Sequence, residues 1–262
     1  MSTSFRFATW NVLATAYIRR EFYPGTPAAV LDARTRIPAL VQRAIELEVD
    51  ILCLQEVERE VFDQLNGALR PLGYSGLLAM KGGRKPDGCA TFYREDRCQL
   101  IQEHRLLYAD GGDNPDSGHV AQVIAFRLSS LRIDLVNTHL KWDPPETPRD
   151  RRWGYRQASL ALSALGEWAE NGIQLICGDF NVTDDSAVVR LFTSAGFQPA
   201  HQDGYTCNSS GVAKRIDYIF FRGPVRAEPE PLPLIDGSTP LPSVQQPSDH
   251  LPLVATFVSE PA

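Results

Sequence analysis

Polar residues able to hold a hard cation and a water recur wherever an apolar run of this sequence stops. Asn11 follows Phe5-Arg6-Phe7-Ala8-Thr9-Trp10, Glu56 follows Ile51-Leu52-Cys53-Leu54-Gln55, and His139 follows Ile133-Asp134-Leu135-Val136-Asn137-Thr138. Asp179 and Asn181 follow Leu175-Ile176-Cys177-Gly178, and Asp249-His250 precede Leu251-Pro252-Leu253-Val254. Strands must end and polar residues cap loops, so one such residue alone carries no weight. Together they are a set that stacked sheets would carry to a common rim. Glu56 and Asp249, helped by the amide of Asn11, are oxygen donors of the kind Mg²⁺ takes, with Mn²⁺ as a substitute. No Cys/His cluster is present, which argues against zinc.

Asp179 and Asn181 are two apart, so in extended backbone they point the same way. An acceptor would then sit beside an amide donor, suited to orienting and deprotonating a water. Gly178 removes a side chain where a phosphate would approach. Asp217 lies within an otherwise apolar strand, Ile216–Phe220, and a buried acid needs a partner. His250 is the candidate, since an Asp–His pair fixes the tautomer and favours imidazolium beside a phosphate. The alternative is that Lys214, Arg215 or backbone donors hold Asp217. By the same logic Asp87, before the strand at 89–94, is a candidate partner for His139.

These residues need elements to position them. Apolar or alternating runs predict strands over 5–11, 50–55, 74–79, 89–94, 99–108, 120–128, 131–138, 174–177, 215–221 and 251–258. Helical periodicity predicts helices over 36–48, 58–69, 150–170 and 184–195, with Asn171-Gly172 a stop for the third. In that helix Trp153, Leu160, Ala161, Ala164, Leu165 and Trp168 share a face. Four strands between 89 and 138 have no helix between them, which favours antiparallel pairing. The expectation is α/β: two stacked sheets with helices outside. The proline-rich stretch 223–247 cannot be a central strand or a helix. It reads as a surface loop or edge excursion, with a lid over the site as the alternative.

The chain has 262 residues, 43% hydrophobic and 22% charged, enough for one large domain or two small ones. It contains no run of about eighteen apolar residues, so no membrane span is expected. The opening stretch, 1–14, lacks the basic-then-apolar layout of a secretory signal. Five cysteines without CxxC spacing, two of them (Cys53 and Cys177) in strand-like runs, read as small hydrophobes in a reducing, cytoplasmic setting. A net charge of −6 argues against a duplex-coating protein but leaves room for a narrow phosphate cleft served by a divalent ion.

The motifs Trp10-Asn11, Leu54-Gln55-Glu56-Val57, Asn137-Thr138-His139-Leu140, Gly178-Asp179-Phe180-Asn181, Arg215-Ile216-Asp217-Tyr218-Ile219 and Ser248-Asp249-His250-Leu251-Pro252 occur in a familiar order. In that order the chain resembles the endonuclease/exonuclease/phosphatase superfamily, which includes DNase I. Within it, Trp10–Ala14, Asp87–Tyr93 and Asn137–Pro144 are most similar to the branch of deadenylases, nocturnin, angel and 2′-phosphodiesterase proteins. The 141–156 loop departs from that branch in its wealth of Pro and Arg. The resemblance implies one catalytic domain over 1–262, a DNase I-like four-layer αββα sandwich of mainly antiparallel sheets, and Mg²⁺ at the rim. It also implies Glu56 as principal metal ligand, with Asn11 and Asp249 near metal or phosphate. Asp179 would position or deprotonate the attacking water, and Asn181 would orient it. His250, oriented by Asp217, would stabilise the phosphoryl oxygens, and His139 would contact the phosphate. Members of the superfamily place the base at the equivalent of Asp179 or of His250, and both stay open.

Residues 141–156 hold Lys141, Arg149, Arg151, Arg152 and Arg156 against Asp143, Glu146 and Asp150, with Trp142, Trp153 and Tyr155 interleaved. Cations beside aromatic rings suit single-stranded nucleic acid, with Trp142 the better stacking candidate and Lys141 and Arg156 as cations. The competing reading buries Trp153 and leaves the arginines solvated. Lys81, Arg84 and Lys85 form a second basic turn, either solvated or facing a phosphate tail. The expected activity is hydrolysis of single-stranded RNA or short oligonucleotides, as in a 3′-5′ exoribonuclease. The rivals are a phosphatase on a small or terminal phosphate, 2′,3′-cyclic ends included, and a catalytically silent RNA-binding module. A monomer is the default.

Overall fold

The computed structural model describes residues 3–112, 115–168 and 172–260. Among the described residues fourteen strands are formed: β1 (Ser4–Asn11), β2 (Ile51–Glu58), β3 (Tyr74–Met80), β4 (Asp87–Arg94), β5 (Gln99–Leu107), β6 (Val120–Leu128), β7 (Leu131–His139), β8 (Ile173–Asp179), β9 (Gln198–Pro199), β10 (Cys207–Ser209), β11 (Val212–Lys214), β12 (Asp217–Arg222), β13 (Val225–Pro229) and β14 (Leu253–Ser259). The α-helices are α1 (Ala28–Leu31), α2 (Ala33–Glu46), α3 (Arg59–Leu69), α4 (Trp153–Glu167) and α5 (Ala187–Ser194).

One six-stranded sheet runs β13-β14-β1-β2-β4-β3 and the other β5-β6-β7-β8-β12-β9, with β10-β11 a separate ribbon. Each sheet has one parallel pair, β1 with β2 and β7 with β8; the other neighbours are antiparallel. Period-two alternation sorts the strand side chains into two layers. Phe5, Phe7, Ile51, Cys53, Ile124, Phe126, Leu135, Leu175, Cys177 and Phe257 fill the space between the sheets. Ala8, Trp10, Leu52, Leu54 and Phe92 face outward against Leu40, Ala44, Leu65 and Leu69 of α2 and α3. On the far side Val123, Val136, Ile176 and Phe220 meet Ala158, Ala161 and Leu165 of α4 and Phe192 of α5. The result is the expected αββα sandwich, and Cys53 and Cys177 are unpaired and buried as small hydrophobes.

The differences from the sequence reading are local. The third helix starts at Trp153 because residues 149–151 form a 3₁₀ turn, and the carboxylate of Asp143 accepts from the N–H groups of Trp153 and Gly154. Its expected stop at Asn171 lies outside the described residues. Its buried face centres on Gly154, Ala158, Ala161 and Leu165, with Leu160, Ala164 and Trp168 at the margin. The proline-rich stretch is an edge excursion: it gives β13, the outermost strand of its sheet, and then runs on without regular structure. Short strands β9, β10 and β11 are too brief to show any periodicity. Among the described residues no helix is long and apolar enough to cross a membrane.

Strand direction explains the rim. The C-terminal ends of the parallel pairs β1/β2 and β7/β8 carry Asn11, Glu56, His139 and Asp179. The antiparallel β12 and β14 bring their N-terminal ends, with Asp217 and the preceding Asp249-His250, to the same edge. A polar layer joins the sheets beneath it. The Gln55 amide donates to Thr9 Oγ1 at 2.9 Å and to Asn137 Oδ1 at 2.8 Å, and Asn137 donates to the Ala90 carbonyl at 2.9 Å. These side chains are wholly buried. Amide bonds in low dielectric favour one register between the sheets, and with it the spacing of the rim residues, even with Gln55 Oε1 left unbonded among the described residues.

Candidate active site

Glu56 does not follow the end of its strand, as the sequence suggested. β2 continues to Glu58, and Glu56 is the extra residue of a β-bulge against β4, with φ 58°. Bulges re-aim a side chain, and here the carboxylate turns to the rim. Its Oε2 accepts from Ala14 N at 2.8 Å and its Oε1 from Asn11 Nδ2 at 3.1 Å. Asn11 Nδ2 also donates to Asp179 Oδ2 at 2.9 Å, while Asn11 Oδ1 is turned to Leu13 N. The amide thus bridges two carboxylates.

Asp179 ends β8 on the central parallel pair. Asn181 is brought to it by a turn rather than by extended backbone: Asn181 has φ 54° and its N–H donates to Asp179 Oδ1 at 2.8 Å. That geometry replaces the two-apart argument, because the strand stops at Asp179 and asparagine tolerates the left-handed region. Asn181 Nδ2 donates to the Leu140 carbonyl at 2.9 Å and lies 3.0 Å from His139 Nε2. The amide therefore offers its second hydrogen to Nε2, which places the proton of His139 on Nδ1. His139 Nδ1 is buried, has no hydrogen-bond partner among the described residues, and stands 3.9 Å from Glu56 Oε1.

Gly178 serves packing, not phosphate approach. A Cβ there would lie 1.8 Å from the Thr138 carbonyl of β7, and φ is 133°.

His250 Nδ1 lies 2.9 Å from Asp217 Oδ2, as expected. Asp217 opens β12 at the rim instead of lying within the strand, and it also accepts from Thr206 Oγ1 at 2.6 Å. His250 Nε2 points into the site, 3.8 Å from Asp179 Oδ2 and 4.0 Å from Asp249 Oδ1. Tyr23 donates to Asp249 Oδ2 at 3.0 Å. Loop placement is set by Trp10 Nε1, which donates to the His250 carbonyl, and by Ser248 Oγ, which donates to that of Asn11. The buried Arg36 guanidinium adds bonds to the carbonyls of Val12 and Pro247.

Burial lowers the charge of most of this site. It pushes the Glu56 carboxyl up from its usual range against the pull of Lys81. It raises Asp179 to about 7, with Asp217 adding to the rise and His250, Asn11 and the Asn181 N–H opposing it. His139 is held well below the ordinary imidazole value by burial and by the charge of Lys81. His250 is the exception: burial pulls it down, but Asp217 and Asp249 outweigh that and hold it well above.

The pairing of Asp87 with His139 is not formed. Asp87 begins β4 and its carboxylate is taken by Lys81 Nζ and the Tyr17 hydroxyl, both at 2.6 Å. Lys81 is accordingly buried and not part of a solvated basic turn. A buried acid takes the nearest cation, and Lys81 is the residue paired across the strand turn from it.

In the 141–156 loop most cations are committed locally. Arg156 donates to the Asp110 and Asp150 carbonyls, Arg152 to those of Thr147 and Pro145, and Arg149 to the Tyr155 hydroxyl. Lys141 Nζ stands 5.1 Å over the Trp153 ring. Trp142 remains 55% exposed.

Asp179, Asp217 and His250 form a cluster whose ligand-type atoms lie within 4.8 Å of one another. Asp217 spends its oxygens on His250 and Thr206, so it backs His250, whose Nε2 stands 3.8 Å from Asp179 without a hydrogen bond. Glu56 and Asp249 are the other acids at the rim, Glu56 joined to Asp179 through the Asn11 amide and Asp249 Oδ1 4.0 Å from His250 Nε2. Their carboxylates are oxygen donors of the kind a hard divalent cation takes.

The sequence profile of the Endonuclease/Exonuclease/phosphatase family matches residues 8–250. The chain belongs to that family. The CCR4-Not complex 3′-5′-exoribonuclease subunit Ccr4 of Candida albicans is 26% identical over 98% of this chain and 41% of its own length. Human 2′,5′-phosphodiesterase 12 is 26% identical over 95% of this chain and 51% of its own length. The chain thus spans about half, or less, of these curated relatives. The crystal structure of ANGEL2, a 2′,3′-cyclic phosphatase, superposes with a TM-score of 0.86 at 20% identity, covering 98% of this chain and 95% of that one. The family's sandwich fold is therefore shared, and the relatives are those of the deadenylase, angel and 2′-phosphodiesterase branch to which the motifs pointed.

Proposed function

We propose that residues 1–262 form one catalytic domain that hydrolyses phosphodiesters of single-stranded RNA or short oligonucleotides with Mg²⁺. The observation that carries this reading is the meeting at one rim of Asp179, His250 backed by Asp217, and the carboxylates Glu56 and Asp249. The named activities of the relatives are all cleavages of phosphoric esters, which supports the same class.

Glu56 would hold the cation, with Asp249 and Asn11 beside it, and the ion when bound would supply positive charge to the phosphate oxygens. Asp217 and Asp249 outweigh burial and favour the charged form of His250, which suits its Nε2–H to stabilising charge on a phosphoryl oxygen rather than to taking a proton. Asp179 is then the acceptor for the proton of the attacking water, and its raised pKa places it near the operating pH. Asn11 and the Asn181 N–H hold that carboxylate in place. The unpartnered Nδ1–H of His139 is a donor awaiting a second phosphate oxygen. Five unpaired, buried cysteines support a reducing compartment such as the cytoplasm.

The test is turnover of a single-stranded oligonucleotide with Mg²⁺, with EDTA, and with Asp179→Ala. Metal-dependent release of nucleotides, lost in the variant, is the expected result. Release of inorganic phosphate alone would favour a terminal phosphatase, and no turnover would favour a silent binding module.

A further inference from the structure

Beside Asn181 a groove of about 510 Å³ leads away from the rim, lined by Trp142, Arg149, Arg152, Arg190 and Lys214 among others. Two features connect it to the proposed chemistry. The chain from His139 to Trp142 lies along the site, with Leu140 N bonded to the Asp179 carbonyl and the Leu140 carbonyl to Asn181. The groove wall itself includes Asn181, Val182 and Ile216, which adjoin Asp179 and Asp217 in sequence. A ligand reaching the reacting phosphate could therefore extend into the groove without leaving the protein surface.

The charges in it are not spent. Arg152 bonds only neutral carbonyls, Arg149 a tyrosine hydroxyl, and Arg190 the Asp185 carbonyl. Among the described residues none of these arginines, nor Lys214, is within ion-pair distance of a carboxylate. The two acids on the wall, Asp143 and Asp185, accept only from neutral donors, so against the four cations the groove keeps a net positive charge. The carbonyl bonds fix where the guanidinium groups stand while leaving their charge uncompensated. An exposed indole at the same groove adds a stacking face.

Building on the phosphodiesterase reading, we infer that this groove is a subsite for a neighbouring nucleotide, its phosphate held by Arg190, Lys214 and Arg152 and its base set against Trp142. The substrate is then an oligonucleotide carrying at least one phosphate beyond the one attacked. A lone terminal phosphate would leave these cations unused.

The test compares a single-stranded RNA pentanucleotide with bis(p-nitrophenyl) phosphate, which is too short to enter the groove, for the wild type and the double variant Arg190→Gln/Lys214→Gln. For the pentanucleotide kcat/KM should fall at least about tenfold, mainly through KM, and its slope against salt should flatten by about 1.4 on a log–log plot, roughly 0.7 per cation. Hydrolysis of the small diester should stay within about twofold, since it makes no charge contact there. The charge-keeping exchange Arg190→Lys/Lys214→Arg should retain the slope, which separates lost charge from a damaged fold. An unchanged slope in the glutamine variant would overturn the subsite while leaving the phosphodiesterase intact. So would a wild type that hydrolyses the small diester but not the pentanucleotide. Failure of the wild type on both substrates would remove the underlying reading and the subsite with it.

Discussion

Replacing Asp217 with asparagine isolates what the anion behind His250 contributes. The pair is buried at 2.9 Å, where Coulomb attraction at an effective dielectric of about 20 is roughly 6 kcal/mol before desolvation is counted. Removing one member of a buried pair costs about 3–5 kcal/mol in practice. Part of that returns because the orphaned imidazole gives up its proton more readily: burial, which pulls it down, is then opposed only by the remaining acids, Asp249 among them. If the charged imidazole supports the transition state, a loss of about 3–4 kcal/mol lowers kcat by about 10²–10³ at neutral pH. The sign with pH follows. In the wild type His250 stays protonated well above the ordinary imidazole range, so this group causes no fall in kcat as pH rises through neutrality. In Asp217→Asn the proton is lost at lower pH than in the wild type, so the alkaline fall in kcat should begin at lower pH. Steady-state kcat against pH, with imidazole nitrogen NMR to read the protonation of His250, provides the assay. A variant that keeps kcat within about threefold and a pH profile unshifted from the wild type would refute the claim that Asp217 acts by charging His250.

Other outcomes follow from the same geometry. Asp179 has a folded pKa above its ordinary 3.8, so its contribution to stability is full below that value and lost as pH rises toward about 7. Metal-free protein should therefore lose this contribution between about pH 4 and 7, and Mg²⁺ at a hundred times its Kd should restore about 2.7 kcal/mol, or roughly 5–10 °C in Tm. A melt that Mg²⁺ leaves unmoved at neutral pH would count against the cation site. Gly178→Ala should destabilise by more than about 3 kcal/mol, since its Cβ meets a carbonyl of the adjoining strand, and a Tm within about 2 °C of wild type would contradict that packing. Trp142→Ala should lower kcat/KM for an oligonucleotide by about 5–100-fold, the worth of one stacked base, while sparing a small chromogenic diester. Equal losses on the two substrates would make Trp142 structural.

The rim was legible in the sequence because period-two strands end abruptly at polar residues, and strand ends in stacked sheets converge. Helices α3 and α5 and strand β6 were readable for the same reason of periodicity. What the sequence hid depended on backbone turns and on partners distant in the chain. The bulge that aims Glu56 and the left-handed turn at Asn181 need positive φ at non-glycine residues, which no pattern of residue types announces. Asp87 could be matched with His139 on paper because both border the site, yet Lys81, six residues before it, is the nearer charge. Gln55 and Asn137 stand next to Glu56 and His139 in their motifs, and that adjacency was the signal for the polar layer beneath the site. Tyr23, Thr206 and Arg36 gave no such signal: each acts across a long stretch of chain on a loop whose course only the fold defines.

The most direct test of the water attack is hydrolysis of an oligonucleotide in H₂¹⁸O with Mg²⁺, with the products read by mass spectrometry. Attack at phosphorus by a water that Asp179 deprotonates predicts one ¹⁸O on the phosphate freed at each cleavage, none on the hydroxyl end left behind, and no labelled product from Asp179→Ala. Label on a sugar carbon, or full incorporation by the Asp179 variant, would contradict it.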